Sequence, residues 1–380
     1  MIVLENQLAL QFNIGNKSDF ISINDFYYMR IAENAGGLRP ILNLTFRIED
    51  ESIIPFLNSG NIIYLMYGIK EPTSDVLQFE ICGDDKTREY KVGSTVSLIG
   101  AMYNRGFTSN KKSFIYSNKR SFEALGMICV QNNMKFITNV TKTNDKQSWY
   151  QNGVTDWAMA STIASRAYKD ADTFYTWAFD NNNLYFYDVR EQLRSRGIKW
   201  YLTVRGVGAE TKDNSIVNIG TYSPSDVYAG QNAELAGKNV TTVNFNLDTG
   251  EFSNPTYNLK TFTTMDTKKI NVNSDGCVNY DYRITNEDEH AFSVESQNQN
   301  FRNNVLFSSY TCHVPIAGQY RDFRLLDLVQ LIPSEEDKEA DGLYFITGIA
   351  KEYKNQQYTT MLTLNRESPN GIQGNLEGGG

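Results

Sequence analysis

Ile62-Ile63-Tyr64-Leu65 and Leu328-Val329-Gln330-Leu331 are two apolar runs that lie 266 positions apart. The same shift places Leu77 and Phe79 over Leu343 and Phe345, and Val96 and Leu98 over Leu362 and Leu364, without a gap. Around each set the chain consists of short apolar or alternating runs, the period-two pattern of half-buried strands. In the first hundred residues these runs are 8–12, 41–46, 61–67, 76–81 and 95–99. Near the end they are 305–314, 325–332, 343–349 and 358–364. Gly15-Asn16, Ser59-Gly60, Pro72, Gly83-Asp84-Asp85 and Gly93 punctuate the first group as turns. The echo predicts two related small β-barrels, one over residues 1–112 and one over 301–368. Their assembly strands carry Ile63, Leu65, Phe79, Val96 and Leu98 in the first barrel. In the second they carry Val329, Leu331, Phe345, Leu362 and Leu364.

Residues 113–205 read as an α/β insert. Ser121 is the expected cap of a helix with Phe122, Leu125, Ile128 and Cys129 on one face. A second helix follows Thr155, with Asp156 at the positive end of its dipole. Trp157, Ala160, Ala164 and Tyr168 recur along it at helical spacing. Each helix leads into an extended run, 135–140 and 174–179, and the latter turns at Asn181-Asn-Asn183 into 184–187 as a hairpin. Phe122, Leu125, Trp157, Phe174 and Phe186 form the predicted insert core, with Trp157 buried against the 174–179 strand.

Residues 206–300 are dominated by Asn, Ser, Thr, Asp and Gly, with short strands at 240–245 and 260–264. They read either as a peripheral β-rich decoration or as flexible loops. A helix from about Ser293 to Asn303 closes the region. The Gly-rich tail 369–380 reads as disordered. The expected class is therefore α+β and β-rich: two barrels flanking an insert and a polar decoration.

Composition narrows the function. The 380 residues are 41% hydrophobic and 21% charged, an ordinary globular balance, and 23 Tyr and 21 Phe agree with a β-rich chain. A net charge of −8 argues against nucleic-acid binding, which needs a basic face. Cys82, Cys129, Cys277 and Cys312 are too widely spaced for a disulfide framework or a metal knuckle, so buried reduced thiols are expected. The N-terminus shows no signal peptide, and no apolar run approaches a membrane span. The expected site of synthesis and assembly is a cytoplasm.

Chemistry is sparse. His290 and His313 are the only histidines, and Cys312 and His313, adjacent in a strand, point to opposite faces. Gly206-Val-Gly208 lacks the rest of a dinucleotide loop. The acidic clusters at 84–85, 287–289 and 335–341 lack calcium-loop spacing. The reading is no enzyme, no cofactor and no metal. Two rival readings are a tail-tip carbohydrate-binding or adhesin-like protein and a β-rich glycoside hydrolase, which needs only two carboxylates.

Three stretches resemble a known family. Ser121–Val130 with Phe136-Ile137 looks like its first insert helix and strand. Thr155–Ala164, 174–179 and Leu184-Tyr-Phe-Tyr-Asp188 look like its second helix, hairpin and closing turn. Leu325–Ile332, Gly342–Gly348 and Tyr358–Arg366 look like its final strands. The chain is similar to the central baseplate hub of contractile-tailed bacteriophages and to the hub-like N-terminal part of type VI secretion spike proteins. The likeness is weak over 206–290, and Leu326-Asp327 stands where the family often places Gly.

The resemblance implies a homotrimer whose six barrels form a pseudo-sixfold ring. That ring would adapt the sixfold tail tube to a threefold spike and leave a channel through which DNA passes without specific binding. The implied partners are the tube protein, a separate central spike protein and other baseplate proteins, with no stable membrane insertion. The implied location is the baseplate of a virion tail, assembled in the host cytoplasm.

Overall fold

The first strands of the chain alternate as their sequence does. In the computed structural model they are β1 (Leu8–Ile14), β2 (Phe26–Asn34), β3 (Ile41–Arg47), β4 (Ile62–Ile69), β5 (Leu77–Ile81) and β6 (Thr95–Met102). The structure describes residues 8–14, 26–69, 76–82, 90–171, 173–180, 182–195, 197–204, 215–226, 239–253, 256–258, 279–285, 290, 292–317, 321–333, 337, 339–354 and 357–366. Leu42, Leu44 and Phe46 on β3 face Val96 and Leu98 on β6 in the core, while the residues between them point outward.

The insert contributes β7 (Lys111–Lys119), α1 (Ser121–Gln131), β8 (Lys135–Thr138), β9 (Gln147–Thr155), α2 (Asp156–Ser165), β10 (Tyr175–Phe179), β11 (Asn183–Asp188) and α3 (Val189–Ser195). β10 and β11 form the expected hairpin, from Tyr175 opposite Asp188 to Phe179 opposite Leu184, and β8 adds in parallel. Thr155 caps α2 by accepting the Ala158 N–H at 3.2 Å. Ser121 is not the cap of α1. It is the first helical residue, and its buried N–H donates to Asp145 at 3.0 Å. Arg120 stands at the cap position, its N–H donating to Glu123 at 2.9 Å.

The chain then passes through β12 (Ile198–Val204), β13 (Ile216–Ile219) and β14 (Ser223–Ser225). β15 (Asn239–Asn246), β16 (Phe252–Ser253), β17 (Thr256–Asn258) and β18 (Asn279–Thr285) form a four-stranded sheet of their own. Of the strands expected in this region, 240–245 lies in β15 and 260–264 falls outside the described residues, as does the tail 369–380.

α4 (Ser293–Phe307) precedes β19 (Tyr310–Ala317), β20 (Leu328–Ile332), β21 (Gly342–Lys354) and β22 (Gln357–Arg366). The expected strand at 305–314 is thus helix up to Phe307. α4 is held by buried amides, which periodicity of apolar residues does not register. Asn300 donates to the carbonyls of Ser165 and Ala167, and Gln299 to those of Ala171 and Thr173.

Two separate barrels were expected; the ladder is instead one 13-stranded sheet. Its path runs β1-β4-β5-β6-β3-β2-β21-β20-β12-β13, with β22, β19 and β14 continuing from β21. Among the described residues no ladder closes either half into a barrel. The physical reason is β2, which pairs with β3 on one edge and β21 on the other, joining the halves edge to edge.

The two halves nevertheless repeat one topology. A rung of paired residues, Ile62–Glu80–Ala101–Ile41, crosses β4, β5, β6 and β3. The matching rung, Leu328–Phe345–Asn365–Thr311, crosses β20, β21, β22 and β19. The offsets are 266, 265, 264 and 270, read from Ile62 to Leu328, Glu80 to Phe345, Ala101 to Asn365 and Ile41 to Thr311. The ungapped shift therefore holds for the first strand and slips by one residue at each of the next two. By ladder position Phe79 corresponds to Tyr344 and Leu98 to Leu362. Burial agrees, because the consecutive buried trio Gly100-Ala101-Met102 matches Leu364-Asn365-Arg366. At the entry to the first strand the halves match in backbone too. Gly60 (φ 90°) and Leu326 (φ 67°) are both left-handed, and their N–H groups donate to Ile81 and Ile346. Leu326 takes the conformation that Gly adopts freely, with its side chain buried.

Candidate assembly surface

The joint between the halves is the ladder of β2 with β21, seven pairs from Tyr28 opposite Lys354 to Asn34 opposite Gly348. β21 is long enough to serve two partners on one edge: Gly342–Phe345 pair with β20, and Gly348–Lys354 pair with β2. One face of the joint is core. There Met29 and Ile31 are buried, and Glu33 meets the Lys351 ammonium at 3.5 Å. Burial pushes the Glu33 carboxyl up, and Lys351 opposes that shift.

The other face carries short or neutral side chains across seven neighbouring strands. They include Ser97, Asn43, Ala32, Ala350, Thr359, Pro315 and Ser225, on β6, β3, β2, β21, β22, β19 and β14 respectively. Arg30 and Glu352 stand opposite each other on this face, and Arg47 pairs with Glu49 at 3.1 Å. Lys354, opposite Tyr28 at the end of β21, adds one exposed positive charge to the same face, so its fixed charges cancel to within about one, although the chain as a whole is acidic.

The assembly residues read from sequence are core residues. Ile63, Leu65, Phe79, Val96 and Leu98 are buried in the first half, as are Val329, Leu331, Phe345, Leu362 and Leu364 in the second. In the insert Leu125, Phe174 and Phe186 are fully buried, while Phe122 and Trp157 are half-buried. Trp157 reaches out of its helix, its indole N–H donating to the Gly37 carbonyl at 2.7 Å. Gly36 N–H donates to the Trp177 carbonyl and Ala35 N–H to that of Thr347, both at 2.8 Å. The loop after β2 is thus where insert, first half and second half meet.

Two charged groups whose buried contacts the sequence does not show hold this frame. Arg366 is buried between the Tyr310 and Tyr344 rings, 4.6 and 4.3 Å from their centroids. Its guanidinium donates to the carbonyls of Asp341, at 2.7 Å, and Glu339. Asp156, wholly buried, accepts from Lys112 at 2.5 Å, Asn132 at 2.6 Å and Gln151 at 2.8 Å. β2 itself was missed although Met29, Arg30, Ile31 and Ala32 alternate. β14, Ser-Pro-Ser, carries no strand signal at all.

The thiols divide. Cys129 and Cys312 are buried, which pushes both up to about 12, whereas Cys82 is exposed, contrary to the expectation of four buried thiols. Cys277 and the cluster 287–289 lie outside the described residues. Among the described residues no three His, Cys, Asp or Glu side chains converge as a metal site, and no helix is long and apolar enough to cross a membrane.

No protein-family model and no curated protein matches the chain. Solved structures do. A 43 kDa tail protein of a Shewanella oneidensis prophage matches with a TM-score of 0.55 at 11% identity, covering 96% of this chain and 99% of that one. A tail protein from Neisseria meningitidis matches with a TM-score of 0.56 at 12% identity, over 96% and 98% of the two chains. This chain has the fold of phage tail proteins. The phage-tail fold also covers 94% of this chain against 77% of a type VI secretion component from E. coli, with a TM-score of 0.50 at 10% identity. That protein is described as structurally similar to T4 bacteriophage tail proteins. The match agrees with the hub resemblance read from the insert and the final strands.

Proposed function

We propose that this chain is a structural hub of a phage-type tail baseplate, acting through assembly and not through catalysis. Three copies alternate their two halves into six nearly equivalent positions around a channel. The ring adapts a sixfold tail tube to a threefold spike, which is a separate polypeptide, and DNA passes through it without specific binding. The insert and the polar sheet of β15–β18 lie on the periphery, where other baseplate proteins bind. The protein works in the virion tail after assembly in the host cytoplasm.

The observation that carries this reading is the repeated rung. One chain holds two units of the same topology, joined edge to edge, with a common face of short, nearly charge-balanced side chains. Three single units could not offer six positions to a sixfold partner, whereas three such chains can. A face without excess positive charge suits a channel wall, because it does not retain a passing polyanion. The tail proteins that share the fold support a tail-associated structural role.

The test is solution mass together with a low-resolution image, for the chain alone and mixed with its tube and spike proteins. A threefold ring with a central hole is expected. A strictly monomeric chain in every mixture would refute the hub.

A further inference from the structure

The ribbon of β7 with β9 gathers Phe114, Ile115, Tyr150 and Val154, four large apolar side chains that are exposed. The ribbon is a sheet of two strands, and among the described residues the far edge of β7 pairs with no strand. One of its faces is core. There Tyr116, Trp149 and Gln151 are buried, and the Trp149 indole N–H donates to the Lys119 carbonyl at 2.9 Å. Phe114 lies on the same side as Tyr116, edge-on to its ring at 4.8 Å, yet remains 41% exposed at the rim. On the other face Ile115, 55% exposed, stands opposite Tyr150, and Ser113 opposite Asn152. The pairing shifts between Lys112 and Ser113 and again between Tyr116 and Lys119, where Asn118 is left-handed (φ 56°). These irregularities interrupt the strand at both ends and leave 113–116 as a regular open edge.

The ribbon and its flanks are basic, on a chain whose net charge is −8. Segments 105–122 and 146–155 hold Arg105, Lys111, Lys112, Lys119, Arg120 and Lys146, and neither Asp nor Glu. Lys112 is engaged by the buried Asp156, and Arg120 lies 3.9 Å from Glu123. Among the described residues no acidic side chain pairs with Lys111, Lys119 or Lys146. The lysines also bear on what can use the open edge. Lys111 and Lys119 flank Ile115 at equal separations along the strand, so a second copy of β7 would set Lys against Lys in either direction. The edge is guarded against itself and matched to a strand of opposite charge.

We propose that the 113–116 edge receives an extended acidic segment of another protein, which adds to β7 as a third strand. The backbone of the segment pairs with the edge, an apolar side chain covers Ile115, and carboxylates at its two ends meet Lys111 and Lys119. A nucleic acid or an anionic membrane would engage the lysines but leave the backbone of the edge unpaired, and the uncharged centre between the lysines offers a phosphate nothing. An acidic peptide satisfies all three features at once: charge, apolar centre and strand edge. The site stands on the ribbon itself. The hub reading supplies only the source of the segment, another protein of the tail.

The test uses the full chain and a fluorescent peptide as long as β7, with Asp and Glu at both ends and alternating Val and Thr between them. The peptide should bind, bind less tightly as salt is added, and slow amide exchange over 113–116. Lys111→Glu combined with Lys119→Glu should weaken it by about tenfold, the scale of two exposed ion pairs turned repulsive. Ile115→Asp, at an exposed position, should abolish binding and leave the chain folded. N-methylation of the middle residues keeps the charge of the peptide but removes its N–H donors, and should abolish binding to the unaltered chain. Equal binding of the N-methylated peptide, or none of the unmodified one, would overturn the added strand. Tighter binding of a single-stranded oligonucleotide or of phosphatidylglycerol vesicles, lost in the double lysine variant, would overturn it in favour of a polyanion. A threefold ring that does not bind the peptide overturns this inference alone. A chain that binds it yet stays monomeric in every mixture overturns the hub alone.

Discussion

Gly36 and Gly37 are adjacent, both left-handed (φ 83° and 78°), and differ only in what surrounds them. A Cβ at Gly36 meets nothing within 4 Å. A Cβ at Gly37 falls 2.1 Å from Cζ2 and 2.5 Å from Cε2 of Trp177, a ring only 5% exposed and stacked on Phe179 at 5.9 Å. Both alanine variants incur the left-handed penalty of about 1–2 kcal/mol. Gly37→Ala must in addition displace a buried indole, at about 1–3 kcal/mol for overpacking. Expected losses are therefore about 1–2 kcal/mol for Gly36→Ala and about 2–5 kcal/mol for Gly37→Ala. Urea unfolding followed by Trp fluorescence reads both, since Trp157 and Trp177 flank the loop. Gly37→Ala should also shift the folded emission, whereas Gly36→Ala should not. Equal losses, or an unchanged folded spectrum for Gly37→Ala, would refute the placement of this loop against the insert.

Arg366→Met removes two charge-assisted hydrogen bonds to Glu339 and Asp341 and the contact with two rings, an expected loss of about 3–5 kcal/mol. Arg366→Lys keeps the charge but not the planar fork, so it should recover less than half; full recovery by Lys in the same unfolding assay would refute the clamp. Burial pushes the Asp327 carboxyl up to about 6. The folded chain therefore holds a proton that the unfolded chain releases near pH 4, and stability falls as pH rises from about 4 through 6. Asp327→Asn should flatten that slope, and a slope unchanged in the variant would reject Asp327 as its source. Of the described thiols only Cys82 should react with a thiol reagent in the native protein, with Cys129 and Cys312 following on unfolding; rapid native labelling of either would contradict their burial.

By itself the sequence determined the β-rich class, most strands of both halves, the insert's two helices and hairpin, and the existence of a repeat. Those features are local: alternation at period two, helical spacing after Thr155, and the turn residues between strands depend on neighbours in the chain. It also carried the resemblance to tail proteins, because the insert and final strands keep their order. What it could not determine was register and closure. A one-residue slip between strands leaves an aliphatic pattern intact, so the ungapped echo read Phe79 onto Phe345 where the ladder pairs it with the position of Tyr344. The union of the halves depends on β2 meeting Gly348–Lys354, more than 300 residues later, and no local pattern encodes that pairing. The same holds for α4, whose buried Gln299 and Asn300 look like surface residues until the carbonyls of 165–173 surround them. Buried polar groups need partners, and in this fold tertiary structure alone supplies them.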